Sequence, residues 1–207
     1  MENDNHASRL HSILESGMSI PRGSNCRDAW RKLLNTKEEA LLMSRLGKVM
    51  ELTSLIIKDV ENNPSALKSS KHWSAQVTKA FMTQNLNDQW SGFIAHIDSH
   101  SLNYLHMTAD FIQSNSHKEI ISDSKLQEIR EQVDALYKEV LSSELDEGIK
   151  EYLYRTLQKL LVSIDEYFIT GVNPIIDSVD QVIGHIVTDE PFRVELKKRC
   201  SCGKKYY

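Results

Sequence analysis

Residues 36–64 read TKEEALLMSRLGKVMELTSLIIKDVENNP, and this stretch decides the fold. Leu42, Leu46, Val49, Thr53, Ile56 and Val60 recur in steps of three and four, the spacing that lines up side chains on one face of an α-helix. Thr36 followed by Glu39 has capping-box spacing, in which two side chains satisfy two otherwise unpaired amides. Asn62-Asn63-Pro64 ends the segment, because a residue before proline is pushed out of helical backbone geometry. A rod with a single apolar stripe must bury that stripe against a neighbour.

The same period runs outward in both directions. Towards the N-terminus, Ser24 and Asn25 cap a short helix ending near Asn35, with Cys26, Ala29, Trp30, Leu33 and Leu34 on its apolar side. Towards the C-terminus, a helix from Lys71 to Gln84 carries Trp73, Val77, Ala80 and Phe81. One long helix then runs from Trp90 to Ile112 through Phe93, Ile94, Ile97, Tyr104, Leu105 and Phe111. Around Ser114 to Ser124 the chain turns polar, and Ile120 and Ile121 suggest a brief buried turn. Leu126, Ile129, Val133, Leu136 and Val140 stripe the next helix, and Ile149, Leu153, Leu157, Leu160, Leu161, Ile164 and Phe168 stripe one from Asp146 to Thr170. Gly171 stands where a left-handed cap belongs, and Asn173-Pro174 restarts a helix faced by Ile175, Ile176, Val179, Val182, Ile183 and Ile186.

No segment alternates with a period of two between turn residues, and no fixed-period repeat is present. The expected class is therefore all-α, an antiparallel multi-helix bundle of about seven helices. The expected organisation is one bundle domain over 24–190, an N-terminal appendage over 1–23 and a basic tail over 191–207.

The 207 residues are 40% hydrophobic and 26% charged with a net charge of −4, a balance that does not mark the whole chain as a polyanion binder. No apolar run approaches the ~18–20 residues that span a bilayer, so no membrane partner is expected. The start, Met-Glu-Asn-Asp-Asn-His, is acidic and polar, unlike a secretory signal. Three cysteines, Cys26, Cys200 and Cys202, build no disulfide framework. A cytoplasmic location is the expectation.

Candidate chemistry is sparse. His96 and His100 stand four apart on the expected long helix, near His106, and with His72 from another helix they could complete a metal site. No general base is nominated to work with such a metal. No arginine has a histidine four to six residues downstream, the pairing that some helical ribonucleases use for phosphate and proton. Cys26 lies on an apolar stripe, where an inert buried thiol is expected. The chain has no Gly-x-Ser-x-Gly, phosphate loop or dinucleotide fingerprint, so no cofactor is implied. Trp30, Trp73 and Trp90 each fall on an apolar stripe and are expected in the core.

The tail carries a net charge of +5 from Arg193 onward. It has three readings: a solvated end that aids solubility, or contacts through Lys197, Lys198, Arg199, Lys204 and Lys205 either to nucleic-acid phosphates with Tyr206 and Tyr207 stacking on bases, or to an acidic partner surface, complementing the acidic stretch Glu144, Asp146, Glu147 and Glu151.

Two stretches carry a family resemblance. Ile20-Pro21-Arg22-Gly23, then Arg27-Asp28-Ala29-Trp30 and Leu33-Leu34, resembles the opening of a loose group of uncharacterised bacterial helical proteins. The stretch from Ile164 to Val172 resembles their closing segment, where a helix ends at a tyrosine-containing turn with glycine. The resemblance implies a bacterial origin and a mobile-element or phage-defence setting, with the chain as partner subunit rather than enzyme. The leading expectation is a non-catalytic accessory, regulatory or immunity subunit that binds another protein or forms a homo-oligomer. The alternatives are a metal-dependent helical-bundle enzyme using His96 and His100, and a nucleic-acid-binding regulator using the tail.

Overall fold

The computed structural model describes residues 4–115, 121–190 and 193. They form ten helices: α1 His6–Met18, α2 Cys26–Leu33, α3 Glu39–Val60, α4 Pro64–Thr83, α5 Ser91–Ile94, α6 Ser99–Ser114, α7 Asp123–Ser142, α8 Glu147–Asp165, α9 Tyr167–Thr170 and α10 Asn173–Thr188. No β-strand occurs among the described residues; a lone bridge joins Asn25 and Gln89. The all-helical expectation holds. The chain divides into two compact units, Met1–Ile120 and Ile121–Tyr207.

In the first unit, α1 packs on α6 and α3, and α4 packs on α6 and α3. The N-terminal segment expected as an appendage is a core element: Ala7, Leu10 and Leu14 are almost fully buried. Asn5 starts α1 with a reciprocal cap, its side chain accepting from the Ser8 amide while the Ser8 hydroxyl accepts from the Asn5 amide, both at 3.0 Å. The Asn5 side-chain amide then donates to the Ala109 carbonyl of α6 at 3.0 Å, so the cap also docks the helix. Gly17 lets α1 approach closely. A Cβ there would meet the Trp90 ring at 3.1 Å, and the Trp90 indole N–H donates to the Gly17 carbonyl at 3.0 Å.

The centre of this unit is a cluster of rings. Trp30 meets Trp90 edge-on at 5.2 Å and Phe93 at 4.8 Å between ring centroids, and it stacks with Phe81 at 5.8 Å. Its indole N–H donates to Gln84 Oε1 at 2.8 Å. Segment 86–91 runs back along residues 22–27, with Cys26 N–H on Asp88 O at 2.8 Å and Trp90 N–H on Ser24 O at 2.7 Å. The bonds from Cys26 and from Arg27, whose N–H donates to Leu86 O at 3.0 Å, satisfy amides at the start of α2 that no helical carbonyl reaches. All three tryptophans are fully buried, as their stripes indicate.

At its other end α2 stops at Asn35, which takes positive φ of 47°. The buried Arg45 of α3 donates to the Leu34 and Asn35 carbonyls at 2.7 and 3.1 Å, satisfying acceptors that the helix end leaves open. The α3 stripe, Leu42, Leu46, Val49, Leu52, Ile56 and Val60, is buried throughout.

Three boundaries differ from the sequence reading. Thr36 does not cap α3, which begins after Glu38, because Glu39 is drawn instead to Arg27 and Arg31 on α2. Pro64 does more than end α3: it opens α4 behind the Asn63 cap, seven residues before the expected start at Lys71. The expected long helix from Trp90 to Ile112 is two helices. Asp98 takes extended geometry, with ψ 169°, and accepts the Ser101 amide at 2.6 Å to start α6. Flanking apolar residues kept the period across this break and hid the cap.

In the second unit α8 packs on α7 and on α10. Ser122 and Asp146 cap α7 and α8. Arg130 holds Asp165 at 2.6 Å, and Tyr137 lies 5.1 Å from Tyr154, joining α7 to α8. The helix expected to reach Thr170 is interrupted at Glu166, after which α9 tucks Tyr167 and Ile169 inward. Gly171 then turns the chain at φ 71°, a conformation that a side chain would strain.

Candidate interaction surface

The apolar face expected for α10 is covered only on one side: Ile175, Val182 and Ile186 are half-buried, while Ile176, Val179 and Ile183 are exposed. Ser178 is its single buried residue. Facing α8 are Pro174, Ser178, Gln181 and His185, opposite Tyr152, Lys159 and Ser163. Tyr152 stacks on His185 with ring centroids 3.9 Å apart and donates to the Gln181 carbonyl at 3.2 Å. Lys159 donates to Gln181 Oε1 at 3.1 Å. A shallow cleft of about 210 Å3 lies along this seam, lined by Lys159, Ser163, Pro174, Asp177, Ser178 and Gln181.

At about 100° per residue, Ile176, Val179, Ile183 and Val187 fall on the side of α10 turned away from α8. They are 42–66% exposed. Ile175, Val182 and Ile186, between that side and the seam, are half-buried. Leu136 and Leu141 on α7 and Val162 on α8 are also exposed. Covering the α10 stripe would remove roughly half of four Val or Ile side chains from water, on the order of 4 kcal/mol. Single exposed aliphatics are ordinary on a protein surface; four along one helical line form a contiguous patch.

Asp180 lies beside the stripe, and Asp177 one turn earlier lines the cleft against α8. Among the described residues Asp177 and Asp180 form no ion pair, and residues 173–188 contain no lysine or arginine. Lys159 is engaged with Gln181, and Arg193 with Glu190 at 3.7 Å.

The residues singled out by sequence are placed as follows. His96 and His100 do not share a helix face, because the chain breaks at Asp98 between them. His96 hydrogen-bonds Thr83 at 3.0 Å, and His72 meets Asp98 at 3.1 Å, so these histidines tie α4 to the turn before α6. His106 lies 5.2 Å from His11 of α1, ring to ring. Among the described residues, no three His, Cys, Asp or Glu side chains are grouped to hold a metal ion. Lys197, Lys198, Arg199, Lys204 and Lys205, with Cys200 and Cys202, lie outside the described residues. Among the described residues, no helix is long and apolar enough to cross a membrane.

Cys26 is fully enclosed, and burial pushes its thiol up to about 11 despite the nearby Arg27. Only the thiolate alkylates, so its labelling at pH 8 should run about two orders of magnitude slower than an ordinary thiol's. Iodoacetamide kinetics on a Cys200→Ser/Cys202→Ser variant check this: labelling should rise to the ordinary rate in denaturant. Fast labelling of the folded protein would show that the site opens.

The chain matches no family model, no curated protein and no solved structure. The geometry of the second unit is therefore the ground for a functional reading.

Proposed function

We propose that the protein is a non-catalytic interaction subunit that works by presenting the outer face of α10 to another polypeptide. One observation carries this: α10 meets α8 chiefly through polar side chains and leaves Ile176, Val179, Ile183 and Val187 largely in water. A helix whose stripe served only its own fold would be turned the other way, as α3 is. The stripe alone is a marginal dock, since association itself costs roughly 4–15 kcal/mol. A partner must therefore add contacts around it.

The test compares the wild-type chain with Ile176→Lys/Ile183→Lys by purification from the native host. Both positions face solvent, so far-UV circular dichroism should be unchanged. The expected result is a stoichiometric companion that the double variant loses. Identical companions, or none with either protein, would overturn the reading.

A further inference from the structure

We propose that His11 and His106 form a surface site for a zinc-class divalent metal ion that bridges α1 and α6. The two rings come from helices far apart in sequence and meet with centroids 5.2 Å apart and planes tilted by 44°. Two imidazoles on one tetrahedral ion, at metal–nitrogen distances of about 2.0–2.1 Å, have ring centres about 5 Å apart. The pair therefore already stands at the separation that a shared ion imposes. Other histidines of the first unit are engaged differently: His6 meets Asp59 at 2.7 Å, His72 meets Asp98 at 3.1 Å and His96 meets Thr83 at 3.0 Å.

Each ring has a carboxylate one turn further along its own helix. His11 Nδ1 lies 3.8 Å from Glu15, and His106 Nε2 lies 3.7 Å from Asp110. Asp4 and Asn5 meet Gln113 and Ala109, and His11 meets His106, so α1 and α6 run antiparallel and the two carboxylates flank the ring pair from opposite ends. A histidine that binds a metal through one nitrogen commonly turns its other N–H to a carboxylate, which fixes the tautomer and strengthens the donor. With those two nitrogens facing carboxylates, Nε2 of His11 and Nδ1 of His106 carry the lone pairs left for the ion. The His11 side chain is 16% exposed and that of His106 60%, so one ring is mostly enclosed in the seam and the other can adjust from solvent. Two nitrogens are fewer than a closed structural site uses, so water fills the remaining positions and the ion exchanges. Imidazole ligands favour zinc, copper or nickel over magnesium or calcium.

The test titrates zinc chloride into the full chain carrying Cys200→Ser/Cys202→Ser, which removes the tail thiols as competing ligands. Binding is read by isothermal calorimetry and folding by thermal denaturation. One zinc per chain should bind and raise the melting midpoint, because an ion held by both helices favours the folded state. His11→Gln and His106→Gln should each weaken binding at least ten-fold and abolish the rise in midpoint. Asp110→Asn should weaken binding about ten-fold through the lost orientation of His106. His100→Gln, at another exposed histidine of α6, should change neither readout. His106 faces solvent, so its variant decides the matter even where His11→Gln fails to fold. No binding up to about 1 mM zinc, binding that survives His106→Gln, an equal response to magnesium, or binding that leaves the midpoint unchanged overturns the proposal.

Discussion

Truncating Trp30 to alanine is expected to destabilise the first unit by about 3–5 kcal/mol. The indole is fully buried, lies within 6 Å of three other aromatic rings and donates to Gln84. Its removal takes away apolar burial, opens a cavity among rings that cannot collapse freely, and forfeits edge-to-face contacts worth about 0.5–1.5 kcal/mol each. It also leaves Gln84 Oε1 without its indole donor. Against a typical total stability of 5–15 kcal/mol, such a loss is large. Urea titration followed by far-UV circular dichroism should show the midpoint falling sharply, while Trp30→Phe, which keeps a ring in place, should fall by markedly less. A Trp30→Ala cost below about 1 kcal/mol would mean that the cluster does not carry the unit.

The second large effect concerns a buried charge. Arg9 on α1 pairs with Asp4, and both side chains are 5% exposed or less. The Asp4 amide also donates to Gln113 Oε1 of α6 at 3.3 Å, and Arg9 Nε has no protein partner. Removing Asp4 alone should cost about 3–5 kcal/mol, because it leaves a guanidinium in a poorly solvated place without its counter-charge. Replacing both residues is a different matter. Asp4→Leu/Arg9→Met removes the two desolvation penalties together with the attraction, and should lie within about 2 kcal/mol of wild type. Denaturation midpoints for the two single variants and the double variant close the cycle. A double variant as damaged as the sum of the singles would show that the two side chains act independently.

Both effects fall on parts of the chain that sequence periodicity treats unequally. Trp30 lies on a stripe, so its burial follows from spacing. Asp4 and Arg9 lie in a segment expected as an appendage, and nothing in their own composition marks them as interior. The signal that was present is Asn5 and Ser8, whose three-residue spacing before Leu10, Ile13 and Leu14 is that of a helix cap. Similarly, Asp98 three residues before Ser101 marks the start of α6, yet the apolar period on both sides masks it.

The chemical candidates were lost for a related reason. His96 and His100 are four apart in number, but four-apart means same-face only within an unbroken helix. One extended residue at Asp98 removes the relation and leaves the two rings with different neighbours.

What the sequence determined by itself is the helical character of the chain and most of its punctuation. Caps such as Asn25, Asn63, Ser122 and Asp146 act on amides two or three residues away, and an apolar stripe of period 3.6 is set by side-chain order alone. What only the tertiary structure decided is which stripes are covered. The face that Ile176, Val179, Ile183 and Val187 give α10 shows in the spacing that a neighbour is wanted, in the same terms as the face of α3. Whether that neighbour belongs to the same chain depends on long-range packing: α3 finds α1 and α4, whereas α10 meets α8 through Ser178, Gln181 and His185 and leaves Ile176, Val179, Ile183 and Val187 outward.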